Sequence, residues 1–289
     1  MNIKQWFKTY LSKEGAFFLA SPALAWQIFF LIVPLLIIIY YSVTRNAECF
    51  TLYYFASLMT VNYAVVLIRT ACCAFLVALL CLLLAFPVSY FLAVHVNARL
   101  KNVLLFFFTL PFWTNFLILV YSWFFLLDRY GLINIILLKI GLVKEPSLLA
   151  NNMLAVVIVM VYCYLPFMLL PLYSSMGKIT YDVIEASMDL GATWIQTFRF
   201  VIVPLSLSGI KTGFLLVLVP AFGEFAIPSL IGGSKNLFAG SLMTHYFLTM
   251  HDLSLGSAFT VISLGILFVV VGILYLLIKY VQKDVRDSL

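Results

Sequence analysis

The sequence predicts an all-α membrane protein with six transmembrane helices, and three observations predict it. The 289 residues are 65% hydrophobic and only 10% charged, with a mean hydropathy of +1.13. A soluble domain is about 45–50% apolar and about 25% charged, so no water-soluble core accommodates this much apolar surface and lipid must be the solvent. Six apolar runs are long enough to cross a hydrocarbon layer of about 30 Å, which takes roughly 20 helical residues. These runs are unbroken, whereas the strands of a membrane barrel would alternate at every second residue.

The runs fall near residues 17–43, 63–94, 102–127, 153–174, 205–231 and 257–280. The first follows Lys4, Lys8 and Lys13. It is too long for a signal-peptide core and lacks a small-residue cleavage site, so it reads as an uncleaved span. The second and fifth exceed the bilayer thickness at their ends, which tilting accommodates. After the third, "GLINIILLKIGL" (131–142) is apolar but too short to span, and it is expected to lie along the outer interface as a helix. After the fifth, residues 232–256 open on "GGSKN" and carry His245, His251 and Asp252, a turn followed by a polar re-entry. The two histidines lack metal-ligand spacing and read as loop residues. Of five cysteines (Cys49, Cys72, Cys73, Cys81, Cys163), four lie inside apolar runs and read as small membrane-buried hydrophobes. There are no internal repeats or low-complexity tracts, so residues 1–289 form one domain.

Lys and Arg set the orientation. With the N-terminus inside, the cytoplasmic segments hold Lys4, Lys8, Lys13, Arg99, Lys101, Lys178, Arg199, Lys211, Lys279, Lys283 and Arg286, eleven of the 17 basic residues. The outer side holds the other six, Arg45, Arg69, Arg129, Lys139, Lys144 and Lys235. That bias predicts both termini in the cytoplasm. The same bias accounts for the net charge of +6, whose scattered sources do not form a nucleic-acid surface.

The loop between spans four and five then lies inside the cell, and its sequence, "YDVIEASMDLGATWIQTFRFVIVP" (181–204), is unlike its surroundings. Asp182 and Glu185 match a D-x-x-E capping box, predicting a short helix from about Val183 to Leu190. Gly191 is suited to the left-handed turn that ends it. Thr193 and Gln196 repeat the capping pattern, starting a second helix toward Pro204. Local chemistry leaves two readings: a connector on the membrane surface, in which Glu185 is only a cap, or a protruding element that docks into a soluble partner.

Glu185-Ala186-Ser187, Gly191 and Val201-Ile202-Val203-Pro204 resemble, at intact spacing, the EAA motif of bacterial ABC importer permeases (E-A-A, three residues, G, nine residues, I-x-L-P). Ser187, Val201 and Val203 are conservative departures. The blocks "LPFWTN" (110–115), "YLPFMLLPLYSSM" (164–176), "EASMDLGA" (185–192) and "PAFGEFAIPSLIGG" (220–233) extend the resemblance to spermidine/putrescine importer permeases of the PotB/PotH type, over roughly residues 20–280. The resemblance implies a type I, MetI-like permease fold in the bacterial inner membrane, with cytoplasmic coupling helices between spans four and five. It implies three partners: a cytoplasmic ABC ATPase dimer, a second and different permease subunit, and a periplasmic or lipid-anchored polyamine-binding protein. It also assigns coupling to the ATPase to Glu185, Ala186, Ser187, Asp189, Gly191 and Pro204.

The chain has no G-x-x-x-x-G-K-[ST] phosphate loop, since "LIGGSKN" (230–236) has neither the spacing nor the Ser/Thr after its lysine. It is therefore expected to bind no cofactor and to hydrolyse no ATP, both ATP and Mg being held by the partner. For a polycationic solute, Glu224 in "PAFGEFAIP" is the leading pathway candidate, because an ionisable residue within a span is costly. Pro220, Gly223 and Pro228 around it suggest a broken helix. The alternative is that Glu224 pairs with Arg69 or lies at the outer headgroups. Trp113 and Asn115 either line the path or pack at an interface. Tyr164, like Tyr121, Trp123 and Tyr162, is either a ligand or a belt or core aromatic. Asp128 reads as a helix-end residue. A permease for another small solute is the nearest alternative function. A secondary transporter would be expected to carry inverted repeats or several intramembrane charges, and an intramembrane enzyme a nucleophile–base pair or metal cluster. Neither pattern is visible.

Overall fold

The computed structural model describes residues 13–45, 49–143, 145, 149–233 and 236–287. Lys4, Lys8, Lys144 and Lys235, used above to set the orientation, lie outside them.

The described chain is almost entirely helical. Helix α1 (Lys13–Val43) leads into a short antiparallel pair, β1 (Thr44–Arg45) and β2 (Cys49–Phe50), with Thr44 opposite Phe50. There follow α2 (Tyr53–Leu58), α3 (Val61–Val94), α4 (Ala98–Trp113), α5 (Phe116–Leu127), α6 (Leu132–Ile140) and α7 (Met153–Met176). The loop between spans four and five contributes α8 (Tyr181–Asp189) and α9 (Trp194–Thr197), and a π-helical turn (Phe198–Ile202) joins α9 to α10 (Val203–Gly223). Beyond it come α11 (Ala226–Ile231), α12 (Ala239–Thr244), a second π turn (His245–Thr249) and α13 (Leu253–Asp287). Six helical stretches are long and apolar enough to cross a membrane: Ala20–Val43, Val61–Val94, Phe116–Ile140, Met153–Met176, Trp194–Gly223 and Leu253–Leu276.

Helix α7 is the axis of the packing, lying mainly against α3 and α10. Val156, Val159, Met160, Met168, Leu169, Leu172 and Met176 are fully buried along it. Lipid gives no hydrophobic drive between helices, so close approach through small residues holds such bundles together. Gly209 and Gly213 of α10 supply it: a Cβ on Gly209 would lie 2.6 Å from the Pro171 carbonyl oxygen, and one on Gly213 2.7 Å from the Met168 sulfur. Ser89 of α3 donates to the Leu169 carbonyl across the other face at 3.3 Å. By contrast α1 runs along α13 and is otherwise exposed.

Three boundaries differ from the sequence reading. The third apolar run, expected to be continuous over 102–127, is broken at Thr114–Asn115, and Asn115 caps α5 by accepting from Leu117 N and Ile118 N. The stretch of spanning length there is Phe116–Ile140, so it takes in α6, the segment expected to lie along the interface. Span five was expected to start after Pro204, with the second loop helix ending there. Instead helix runs without interruption from Trp194 to Gly223. Pro204 has no N–H to give the Phe200 carbonyl and its ring crowds that group. The turn before it widens, and Val203 N–H reaches Phe198 O.

Candidate functional site

The loop between spans four and five is built by the ends of its helices. Helix α8 begins two residues earlier than the Asp182–Glu185 pattern suggested: Thr180 is its N-cap residue, and no side chain makes a cap hydrogen bond. Asp182 sits instead in the first turn, where its charge favours the positive end of the helix dipole. Glu185 is therefore no cap; it is exposed, and among the described residues no hydrogen bond or ion pair engages it.

The end of α8 follows from Gly191. Its φ of +87° is left-handed, its N–H bonds Met188 O at 2.9 Å, and Ala192 N–H bonds Ser187 O at 3.2 Å. This nested pair satisfies the last carbonyls of the helix. The second cap forms as its sequence indicates, with Thr193 and Gln196 exchanging side-chain to backbone bonds. Helix α9 is seated on the end of α3 by Trp194 against Tyr90 (ring centroids 6.0 Å apart), and Phe198 beyond it packs on Phe86 (5.6 Å). The outer surface of the loop stays apolar and open, with Leu190 90% and Ile195 75% exposed. Ala186 and Asp189 are exposed beside Glu185, Ser187 is half-buried, and Pro204 lies past the π turn at the start of α10.

The second cluster lies at the far end of α10. The break suggested by Pro220, Gly223 and Pro228 is present: α10 stops at Gly223, Glu224 is extended (φ −65°, ψ 130°), and α11 begins at Ala226. Glu224 is buried, at 7% exposed. Its Oε1 accepts from Ala226 N (2.8 Å) and Ile227 N (3.4 Å), and its Oε2 accepts from the Tyr164 hydroxyl at 2.5 Å. The carboxylate is thus held by a helix start and a phenol, which offset its desolvation. These bonds replace the pairing with Arg69 that was its alternative. Gly240 of α12 covers the break, since a Cβ there would lie 2.5 Å from Gly223 O.

Of the four pathway candidates, the structure brings together Glu224 and Tyr164. Trp113 is 82% exposed, and the side chain of Asn115 serves its helix cap. Phe167 is the link that sequence reasoning missed: it stacks edge-on with Phe112 and lies 6.2 Å from the Tyr164 ring. From Phe167 a groove of about 480 Å³ runs between α7 and α10 past Ser174, Ser208 and Thr212 to Lys178. A larger cavity of about 990 Å³ opens between the start of α3, α11 and α12, lined by Tyr63, Ser229, Ser241, His245 and Tyr246 among others. Tyr246 donates to Tyr63 at 2.8 Å. Burial, then that bond, raises the Tyr246 phenol above its ordinary pKa.

Residues 85–287 match the family described as the binding-protein-dependent transport system inner membrane component. The spermidine/putrescine transport system permease protein PotB of Salmonella typhimurium (strain SL1344) is 38% identical over 272 residues, covering 91% of this chain and 93% of that one. PotB of Escherichia coli (strain K12) is 37% identical over 254 residues, covering 85% and 92%. A solved bacterial alginate ABC transporter, in complex with an alginate pentasaccharide-bound periplasmic protein, shares the fold with a TM-score of 0.74 over 96% of this chain and 98% of that one. At 14% identity that likeness concerns the fold alone.

Proposed function

Because this chain belongs to the family of binding-protein-dependent inner membrane transport components, the permeases of ABC importers, we propose that it forms half of the path by which polyamines, spermidine or putrescine, are carried across the inner membrane. The observation that carries the solute class is the relationship to PotB along 91% of the chain. The buried acidic residue at the break in span five supports it, because a fixed negative charge at membrane depth favours a polycation. The importer fold alone does not decide the solute, since a related framework serves an acidic polysaccharide.

In this reading the loop carrying α8 and α9 faces the cytoplasm and docks into a separate ATPase dimer, which binds the ATP and Mg. Exposed Glu185 offers a charge to a basic or polar group there, and Leu190 and Ile195 offer apolar contact. Closure of the ATPase moves the loop, and the continuous helix from Trp194 to Gly223 passes the motion to Glu224. A different permease subunit completes the path. A periplasmic or lipid-anchored binding protein delivers the solute at the outer side, where the 990 Å³ cavity opens.

The test is uptake of radiolabelled spermidine and putrescine in a strain lacking the chain, complemented with wild type, Glu185→Lys or Gly191→Val at equal membrane abundance. Wild type is expected to restore ATP-dependent uptake and to co-purify with an ATPase subunit, and both variants to lose uptake. Uptake indifferent to cellular ATP, or undiminished in the variants, would sink the reading.

A further inference from the structure

Helix α8 is weakly attached to the rest of the chain. Of its nine residues seven are exposed; the two that face inward are Ile184, 4% exposed, and half-buried Ser187, three residues apart and so on one face. Ile184 makes an apolar contact, which is non-directional. Ser187 makes a directed one: its Oγ lies 3.0 Å from Oγ1 of Thr197. Thr197 is fully buried at the end of α9, where helix continues into span five. Between the two helices the backbone turns at Gly191, whose φ of +87° and open surroundings, with nothing within 4 Å of a Cβ, leave the turn to backbone geometry alone. Glycine gives such a turn conformational latitude. Something must keep the angle between α8 and α9 fixed, and among the described residues the Ser187–Thr197 hydroxyl pair is the side-chain hydrogen bond that joins them.

We propose that Ser187 is a positioning residue whose hydroxyl, bonded to Thr197, locks α8 to the helix entering span five, so that displacement of α8 reaches the span instead of being absorbed at Gly191. This rests on the coupling role proposed above and changes the part that Ser187 plays in it. The resemblance assigned Ser187, together with Ala186, to coupling with the ATPase. The geometry turns it inward, onto the chain's own buried threonine, and leaves docking to Glu185 and the exposed apolar residues. Ser187→Ala is a clean probe. It keeps the volume of the helix nearly unchanged, and Thr197 can turn its hydroxyl to the Thr193 carbonyl one turn back, so little folding stability is lost.

The experiment uses the complete transporter in proteoliposomes and counts ATP hydrolysed per spermidine delivered. Ser187→Ala is expected to raise that ratio about threefold to tenfold, the scale of one net hydrogen bond, with unchanged recovery of the ATPase subunit. Ser187→Thr is expected to restore it. Thr197→Val should match Ser187→Ala, and the double variant should be no worse than either single, because both remove the same bond. If burying valine prevents folding, Thr197→Ser, which keeps the hydroxyl, should be wild type alone and match Ser187→Ala when combined with it. An unchanged ratio in Ser187→Ala, or effects that multiply in the double variant, overturns the proposal. The two levels separate: normal uptake by Glu185→Lys overturns the coupling role itself, whereas a dead Glu185→Lys beside a normally coupled Ser187→Ala overturns only the lock.

Discussion

Gly191 and Glu224 do opposite work at the two ends of span five. Gly191 is needed for its backbone: at φ +87° an ordinary L residue costs about 1–2 kcal/mol, with Asn and Asp the most tolerant. Space is no obstacle, since nothing lies within 4 Å of a Cβ there. Gly191→Asn is therefore expected to keep substantially more uptake than Gly191→Val at equal abundance, and equal loss in both would mean that bulk at the docking face, not backbone strain, is what matters. Glu224 is needed for its side chain. Tyr164→Phe would strand a buried carboxylate oxygen, at a cost of about 1–3 kcal/mol, read as a lower unfolding temperature in detergent. Glu224→Gln keeps an oxygen for Ala226 N and Ile227 N, and its amide NH2 donates to the Tyr164 oxygen in place of accepting from it, so it should lose no more stability than Tyr164→Phe while its KM for spermidine rises. A KM unchanged in Glu224→Gln would assign Glu224 to holding the break alone. The identity of Glu224 as an exception was legible in the sequence, because a carboxylate inside an apolar run is conspicuous. Its partner was not, because Tyr164 lies 60 positions away and looks like any other aromatic of the span.

At the scale of elements, periodicity and hydropathy located the six apolar runs but not their interruptions. Thr193 and Gln196 announce their helix correctly because a capping box is complete within four residues. Asp182 and Glu185 carry the same pattern and do not cap, because the chain enters the helix at Thr180 and places Asp182 inside the first turn. The π turn at Phe198–Ile202 follows from Pro204, yet proline read alone suggested a boundary where the helix continues. What holds the elements together is likewise non-local. Gly209 and Gly265 are both glycines within spanning helices, but only the first meets backbone of another helix, 2.6 Å from Pro171 O, while the second has nothing within 4 Å. Gly209→Ala is expected to cost about 1–3 kcal/mol through overpacking between α7 and α10, seen as reduced thermal stability in detergent, with Gly265→Ala near wild type. Equal stability of the two would mean that the α7–α10 approach has slack.

For the whole molecule the deciding quantity is orientation, because every functional assignment of the loop depends on the side of the membrane it faces. The bias of eleven basic residues against six predicts a cytoplasmic loop, and the structure supplies exposed positions on which to test it. Leu190 is 90% exposed at the loop turn, and Met59, 82% exposed, lies just before α3 at the opposite end of that span from the loop's seat on Tyr90. In a background with the native cysteines replaced, Leu190→Cys should react with a membrane-impermeant thiol reagent only in inside-out vesicles, and Met59→Cys only in right-side-out ones. The reversed pattern would place the loop at the outer face, where no ATPase can reach it. The coupling role of Glu185 and the lock at Ser187 would then fall together, while the fold and the Glu224–Tyr164 pair would stand.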